Sequence, residues 1–177
     1  MKLLQSRLLT FYVFVSSIIS ITTSIPFMPA TSNETLYLVG YSSQLYITNV
    51  ECVITRYRSV RDGWVMRSVN YALHVGKEWR PKSSVIHVKW EPYAVLLNVK
   101  ADEYLAHNLG AKTEYVVRNY NKHSLVLSDL KDVPSPCSLW VTRDHLDKIP
   151  KMINRTFYQQ CPEPIYAPFR EECFRNQ

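Results

Sequence analysis

The chain has 177 residues, of which 46% are hydrophobic and 12% aromatic, with four cysteines, ten prolines and only four glycines. That apolar share excludes a disordered or low-complexity polypeptide, and the length suits one domain with a sizeable core. The 21 basic against 15 acidic residues give a net +6; Arg56, Arg58, Arg67, Lys89 and Arg118 are scattered without interleaved stacking aromatics, so no nucleic-acid partner is expected.

The first element is a leader. Lys2 and Arg7 form a basic start, residues 8–21 are apolar and uncharged, and Thr22 and Ser24 offer small residues for a signal peptidase. The run is too short to span a bilayer comfortably. Residues 1–24 read as a signal peptide cut after Ser24, with Ser20 as the alternative, leaving one secreted domain over residues 25–177 and no membrane association after cleavage. Lys2 and Arg7 are two of the 21 basic residues, so the mature part carries 19 against 15 acids, or +4. Residues 24–32 read as a flexible start. The sequons at Asn33 and Asn154 are candidate glycosylation sites in that compartment.

From residue 35 onward, β-branched and aromatic residues dominate. Strands are expected over residues 35–41, 50–60, 64–75, 84–90, 93–101, 113–120, 123–130 and 138–143. Asp62-Gly63 is a hairpin turn, Asn121-Lys122 a second turn with Asn at positive φ, and residues 76–82, with Pro81, a loop. Val65, Val69, Tyr71 and Leu73 alternate onto one face that also takes Arg67. Leu125, Leu127 and Asp129 share another. One helix is expected after Pro150, with Met152, Ile153, Phe157 and Gln160 on one side, ended by Pro162 and packed outside the sheet. Many short antiparallel strands imply an all-β barrel or sandwich.

Cys52, Cys137, Cys161 and Cys173 lack the spacing of a structural zinc site, so disulfides are expected, with three pairings open. His74, His87, His107, His123 and His145 form no H-x-x-x-H pair, and no nucleophile or phosphate-loop motif is present. Neither an enzyme, a metal nor a cofactor is expected.

Cys137-Ser138-Leu139-Trp140-Val141, followed by Pro150, Cys161 and Cys173, resembles the C-terminal part of the tick salivary lipocalins, the histamine-binding protein family. Thr35-Leu36-Tyr37-Leu38-Val39 and Cys52-Val53-Ile54 resemble its first two strands. The resemblance implies an eight-stranded antiparallel lipocalin barrel with a short C-terminal helix, disulfides Cys52–Cys173 and Cys137–Cys161, and a monomer in saliva that sequesters a small host mediator. By the family, that mediator is a biogenic amine, histamine or serotonin.

Amine-binding members carry a Cys-Asp-aliphatic motif and a Glu-Leu-Trp motif. Here His123-Ser124-Leu125 and Ser138-Leu139-Trp140 stand in their places, so both acids are missing. A buried cation needs a carboxylate and aromatic faces. Asp129 and Glu114 are the candidate acids on strands, with Glu91 and Asp102 near strand ends. Trp140, Tyr115 and Tyr71 are the candidate aromatics, with Trp64 and Trp90 behind them. The alternative ligand is an acidic lipid, a leukotriene or fatty acid, which gains if Arg56 or Arg67 points inward. A third possibility is a barrel with a filled pocket whose loops bind a host protein such as a complement or clotting factor.

Overall fold

A computed structural model describes residues 27–76, 78–130, 134–167, 169 and 172–175. The signal peptide expected over residues 1–24, with its cleavage sites, lies outside them. Eight antiparallel strands follow in chain order: β1 (Leu36–Ser42), β2 (Val50–Arg61), β3 (Trp64–Val75), β4 (Glu78–Glu91), β5 (Leu96–Ala101), β6 (Glu114–Asn121), β7 (Ser124–Ser128) and β8 (Cys137–Val141). Each pairs with the next, and β1 pairs with both β8 and β2, so the sheet closes on itself into a barrel. A ninth short strand, β9 (Pro164–Tyr166), adds to β1 at Gly40–Ser42.

The β2–β3 hairpin turns on Asp62 (φ 51°) and Gly63 (φ 75°), the double positive φ of a tight hairpin. The β6–β7 turn sits one residue later than expected. Asn121 supplies a side-chain acceptor rather than a positive φ: its Oδ1 takes the His123 N–H at 2.8 Å. The expected loop over residues 76–82 is mostly strand. Pro81 pairs with Ala72, and β5 meets β4 only from Ile86 onward, so this proline lies on an edge segment, where strands tolerate it. Residues 92–95 form a turn instead of opening β5.

Two further expectations fail. A helix, α1 (Glu103–Asn108), follows β5, capped by the Asp102 carboxylate, which accepts the Leu105 N–H at 2.8 Å. The described part, residues 27–32, of the stretch expected to be flexible forms a short 3-10 turn at Pro29–Thr31, with Met28, Pro29 and Ala30 buried inside one end of the barrel.

Arg67 holds that floor. It faces inward from β3 and is 1% exposed. Its Nε donates to Thr55 Oγ1 at 2.9 Å, Nη1 to the carbonyls of Ala30 at 3.3 Å and Ser32 at 2.8 Å, and Nη2 to the carbonyls of Glu34 and, at 3.1 Å, Thr55. These bonds use all five N–H donors of a guanidinium. Burial lowers its pKa to about 10, against an opposing pull from Glu34, so the group stays charged at neutral pH.

The helix after Pro150, α2 (Lys151–Gln160), packs outside β6–β8 through Ile153, Thr156 and Phe157; Met152 points to solvent. Phe157 lies so close to β1 that a Cβ on Gly40 would sit 2.9 Å from its ring. Cys137–Cys161 ties α2 to β8. Cys52–Cys173 ties the last helix, α3 (Glu172–Arg175), to β2.

Two substitutions test this frame. Arg67→Met strands several buried carbonyls, each worth about 1–3 kcal/mol. Stability is expected to fall by about 3 kcal/mol or more, a melting temperature lower by roughly 6–12 °C for a chain of this size. Gly40→Ala drives a methyl into Phe157 and is expected to cost about 1–3 kcal/mol in urea unfolding. The double change Gly40→Ala/Phe157→Leu should recover part of that loss.

Candidate ligand-binding cavity

The inward side chains enclose a cavity of about 540 Å³, within the roughly 300–1,000 Å³ of small-molecule sites. Strand alternation builds its wall: Leu36 and Leu38 from β1, Val69 from β3, Ile86 and Val88 from β4, Leu97 and Val99 from β5, Leu125 and Leu127 from β7. The Arg67 floor closes one end. The other end is a mouth made of residues 44–47, the segment from Asn108 to Lys112 after α1, Asp129 and Pro136 between β7 and β8, and Tyr166, Ala167 and Phe169 from the tail.

The exposed side chains of Gln44, Glu51 and Asn108 stand at the rim of this space, and the polar groups further in are mostly engaged. Arg67 lines the floor with its donors already used. At the mouth, Lys112 Nζ pairs with the buried Asp129 carboxylate at 3.3 Å. Tyr115 accepts the Lys112 backbone N–H at 2.9 Å, and burial raises its pKa, so it stays a neutral phenol. On β8, Trp140 Nε1 donates to Ser138 Oγ at 2.9 Å, and both residues line the cavity. That bond uses an acceptor site of Ser138 and leaves its O–H without a protein acceptor among the described residues. At the rim, Tyr41 stacks on Tyr46 with centroids 6.2 Å apart.

Of the residues nominated from sequence, Trp140, Asp129 and Tyr115 line the cavity together. Tyr71 does not: it faces inward but is buried beneath α1, stacked with Tyr104 at 6.5 Å and packed near Leu105. Glu114 is exposed on the outer face, level with Asn98, because its neighbour Tyr115 takes the inward position. Glu91 pairs with Lys89 at 3.7 Å on the surface, and Asp102 caps α1. Trp64 lies under Lys100, 4.1 Å from its ring centroid, and Trp90 packs in the core against Tyr120. Arg67 points inward; Arg56 is not among the lining residues.

Sequence reasoning missed Lys112, the α1 segment and Phe169. Phe169 reaches the mouth in a tail that the Cys52–Cys173 bridge draws back to β2, a signal present in the cysteine count but not in local pattern.

Known proteins resemble this frame over its whole length. The family model described as tick histamine binding protein matches residues 27–175. Japanin-like-RS of Rhipicephalus sanguineus and Japanin of Rhipicephalus appendiculatus are each 49% identical over 175 residues, covering 98% of this chain and 99% of either relative. The structure of Japanin from Rhipicephalus appendiculatus bound to cholesterol superposes with a TM-score of 0.80 at 51% identity, covering 84% of this chain and all of that one. The chain therefore belongs to the tick histamine-binding protein family and has its closed lipocalin barrel.

Proposed function

We propose that the protein is a secreted carrier that sequesters a neutral, largely apolar ligand of the sterol class inside its barrel. The observation that carries this reading is the state of the polar lining. Arg67 is saturated and Lys112 and Asp129 neutralise each other, while Ser138 retains a hydroxyl proton against a hydrocarbon wall. A sterol matches that inventory, with one hydroxyl to pair and an apolar body to bury. Japanin, with half of its residues identical, has a structure bound to cholesterol, which favours the same ligand class here.

An amine, histamine or serotonin, is the reading from family membership alone. It would need Asp129 to exchange Lys112 for the ligand, or the exposed rim carboxylate of Glu51 to take it outside the apolar wall, and the position where amine binders carry glutamate holds the neutral Ser138. A leukotriene or fatty acid is favoured by one observation, the half-exposed Lys112 ammonium at the mouth. Arg67 adds nothing to it, because no donor is left for a ligand carboxylate. An open cavity weighs against a role confined to loops that grip a host protein. Capture rather than catalysis is the activity this site supports.

Secretion is supported by two disulfides, which persist in oxidising compartments. Asn33 is exposed, whereas Asn154 is partly covered and its Oδ1 accepts the Tyr166 hydroxyl at 2.6 Å. Asn33 is thus the more accessible sequon for a glycan on the folded protein. The mature chain is read as a monomer beginning at Ile25.

Titration of residues 25–177 with cholesterol, histamine, serotonin and a leukotriene discriminates these readings. Saturable cholesterol binding and no heat with either amine is the expected result. Histamine binding without sterol binding would sink the proposal, and a folded protein that binds none of the four would favour a host-protein partner. Ser138→Ala is expected to weaken sterol binding about fivefold, the worth of one neutral hydrogen bond of about 1 kcal/mol. Ser138→Glu should abolish sterol binding and introduce measurable histamine heat.

A further inference from the structure

We infer that the open end of the barrel docks on a phospholipid bilayer and exchanges its ligand there, an inference that rests on the sterol reading. Three observations meet at this end. First, the apolar lining does not stop at the mouth. Leu45, Tyr46 and Tyr166 line the cavity and are also 39–55% exposed, so apolar surface extends from the interior to solvent. Second, the β3–β4 hairpin overhangs the same end. Leu73 pairs with Val50, where β2 begins, and β5 meets β4 only from Ile86. The tip beyond is a two-stranded ribbon, and it presents Val75 and Trp79 within that same exposure range. Third, among the described residues the mouth is the open end for ligand traffic, because Arg67 and the Pro29–Thr31 turn fill the opposite end.

The occupant follows from the chemistry. A sterol that leaves a membrane through water exposes its whole apolar body, at a cost proportional to the area. A mouth pressed against the bilayer avoids that exposure. Tyrosine and tryptophan mixed with aliphatic side chains suit the membrane–water interface, where one part of the ring is apolar and the other wet. The charges named at this end are net acidic: Arg80, Lys82 and Lys112 stand among Glu51, Glu78, Asp102, Glu103, Asp129 and Glu163, with Arg80 held 3.4 Å from Glu78. The surface therefore has no excess of cations to require anionic lipid. Zwitterionic phosphatidylcholine suffices, and docking is insensitive to salt.

The test uses Val75→Ser/Trp79→Ser, two exposed positions outside the cavity, with the thermal melt confirming the fold. Wild type is expected to float with phosphatidylcholine vesicles whether or not they contain cholesterol, and the double variant to stay behind. Dehydroergosterol transfer from vesicles, read by tryptophan-to-sterol energy transfer, should accelerate in proportion to vesicle concentration. It should slow roughly tenfold in the variant, a loss of about 1.4 kcal/mol, with equilibrium occupancy unchanged. Transfer independent of vesicle concentration, or equal in both proteins, overturns the inference. So does a wild-type dimer that dissociates in the variant without any flotation, which would assign the face to a second copy. Flotation on cholesterol-free vesicles reads docking alone: docking without sterol uptake would remove the sterol reading, and uptake without docking would remove this one.

Discussion

The interaction on which the rest depends is the hydrogen-bond knot around Arg67. A buried guanidinium costs several kcal/mol unless its donors are met. Here all five are met by neutral oxygens, four of them backbone carbonyls at positions 30, 32, 34 and 55. Those carbonyls exist at the right places only if the N-terminal segment crosses the barrel and if β2 lies beside β3. One side chain therefore fixes a plug, a strand pair and a closed floor together. The same saturation removes it from ligand chemistry. An inward arginine in a lipid-sized cavity invites assignment as a carboxylate clamp, but a donor already spent on the fold cannot also clamp a ligand.

The opposite end is assembled mostly from pieces outside the barrel ladder: the 3-10 turn at Ser43–Leu45, the segment after α1, the β7–β8 connection and the C-terminal tail, of which only β9 pairs with β1. Apart from the short β9–β1 pairing, strand pairing does not specify how such pieces meet, so covalent bonds help to do it. Cys52–Cys173 spans 121 residues and Cys137–Cys161 spans 24. In the loop-entropy account they are worth about 5 and about 3.5 kcal/mol. The longer bridge draws the tail carrying Phe169 to β2, and the shorter one holds α2 against β8 and the Gly40–Phe157 contact. A rigid floor and a stapled mouth leave the cavity shape to the register of eight strands.

Much of that register was legible from alternation alone. Leu125, Leu127 and Asp129 share the inner face as the period of two demands, and Asp62-Gly63 turns where its chemistry allows positive φ at both residues. The failures have physical causes. Glu114 and Tyr115 are adjacent on one strand, so they cannot both face inward, and burial preference sends the phenol in and the carboxylate out. Tyr71 obeys the alternation but loses the cavity to α1, a six-residue helix too short to show a helical period. The buried start at Met28, Pro29 and Ala30 reads as linker because its residues are small and proline-rich. Its order comes from an arginine some thirty-five residues away in the chain. Interactions of long sequence separation leave no local pattern.

Ligand class within this frame turns on β8. Ser138 and Trp140 sit two residues apart, so the pleat aims both inward and lets the indole N–H reach the hydroxyl. A glutamate at 138 would present a carboxylate to an apolar wall, tolerable only with a cationic ligand or a protein cation beside it. Lys112 is committed to Asp129 at the mouth and Arg67 to the floor, so no cation is spare for such a carboxylate. The serine is therefore consistent with the inner polar groups: Arg67 and the Lys112–Asp129 pair are matched within the protein, the exposed Glu51 carboxylate stands at the rim, and the inner open valence is neutral. Two barrels of the same topology can differ in ligand charge by this single position, because the strands hold it in place whichever side chain it bears.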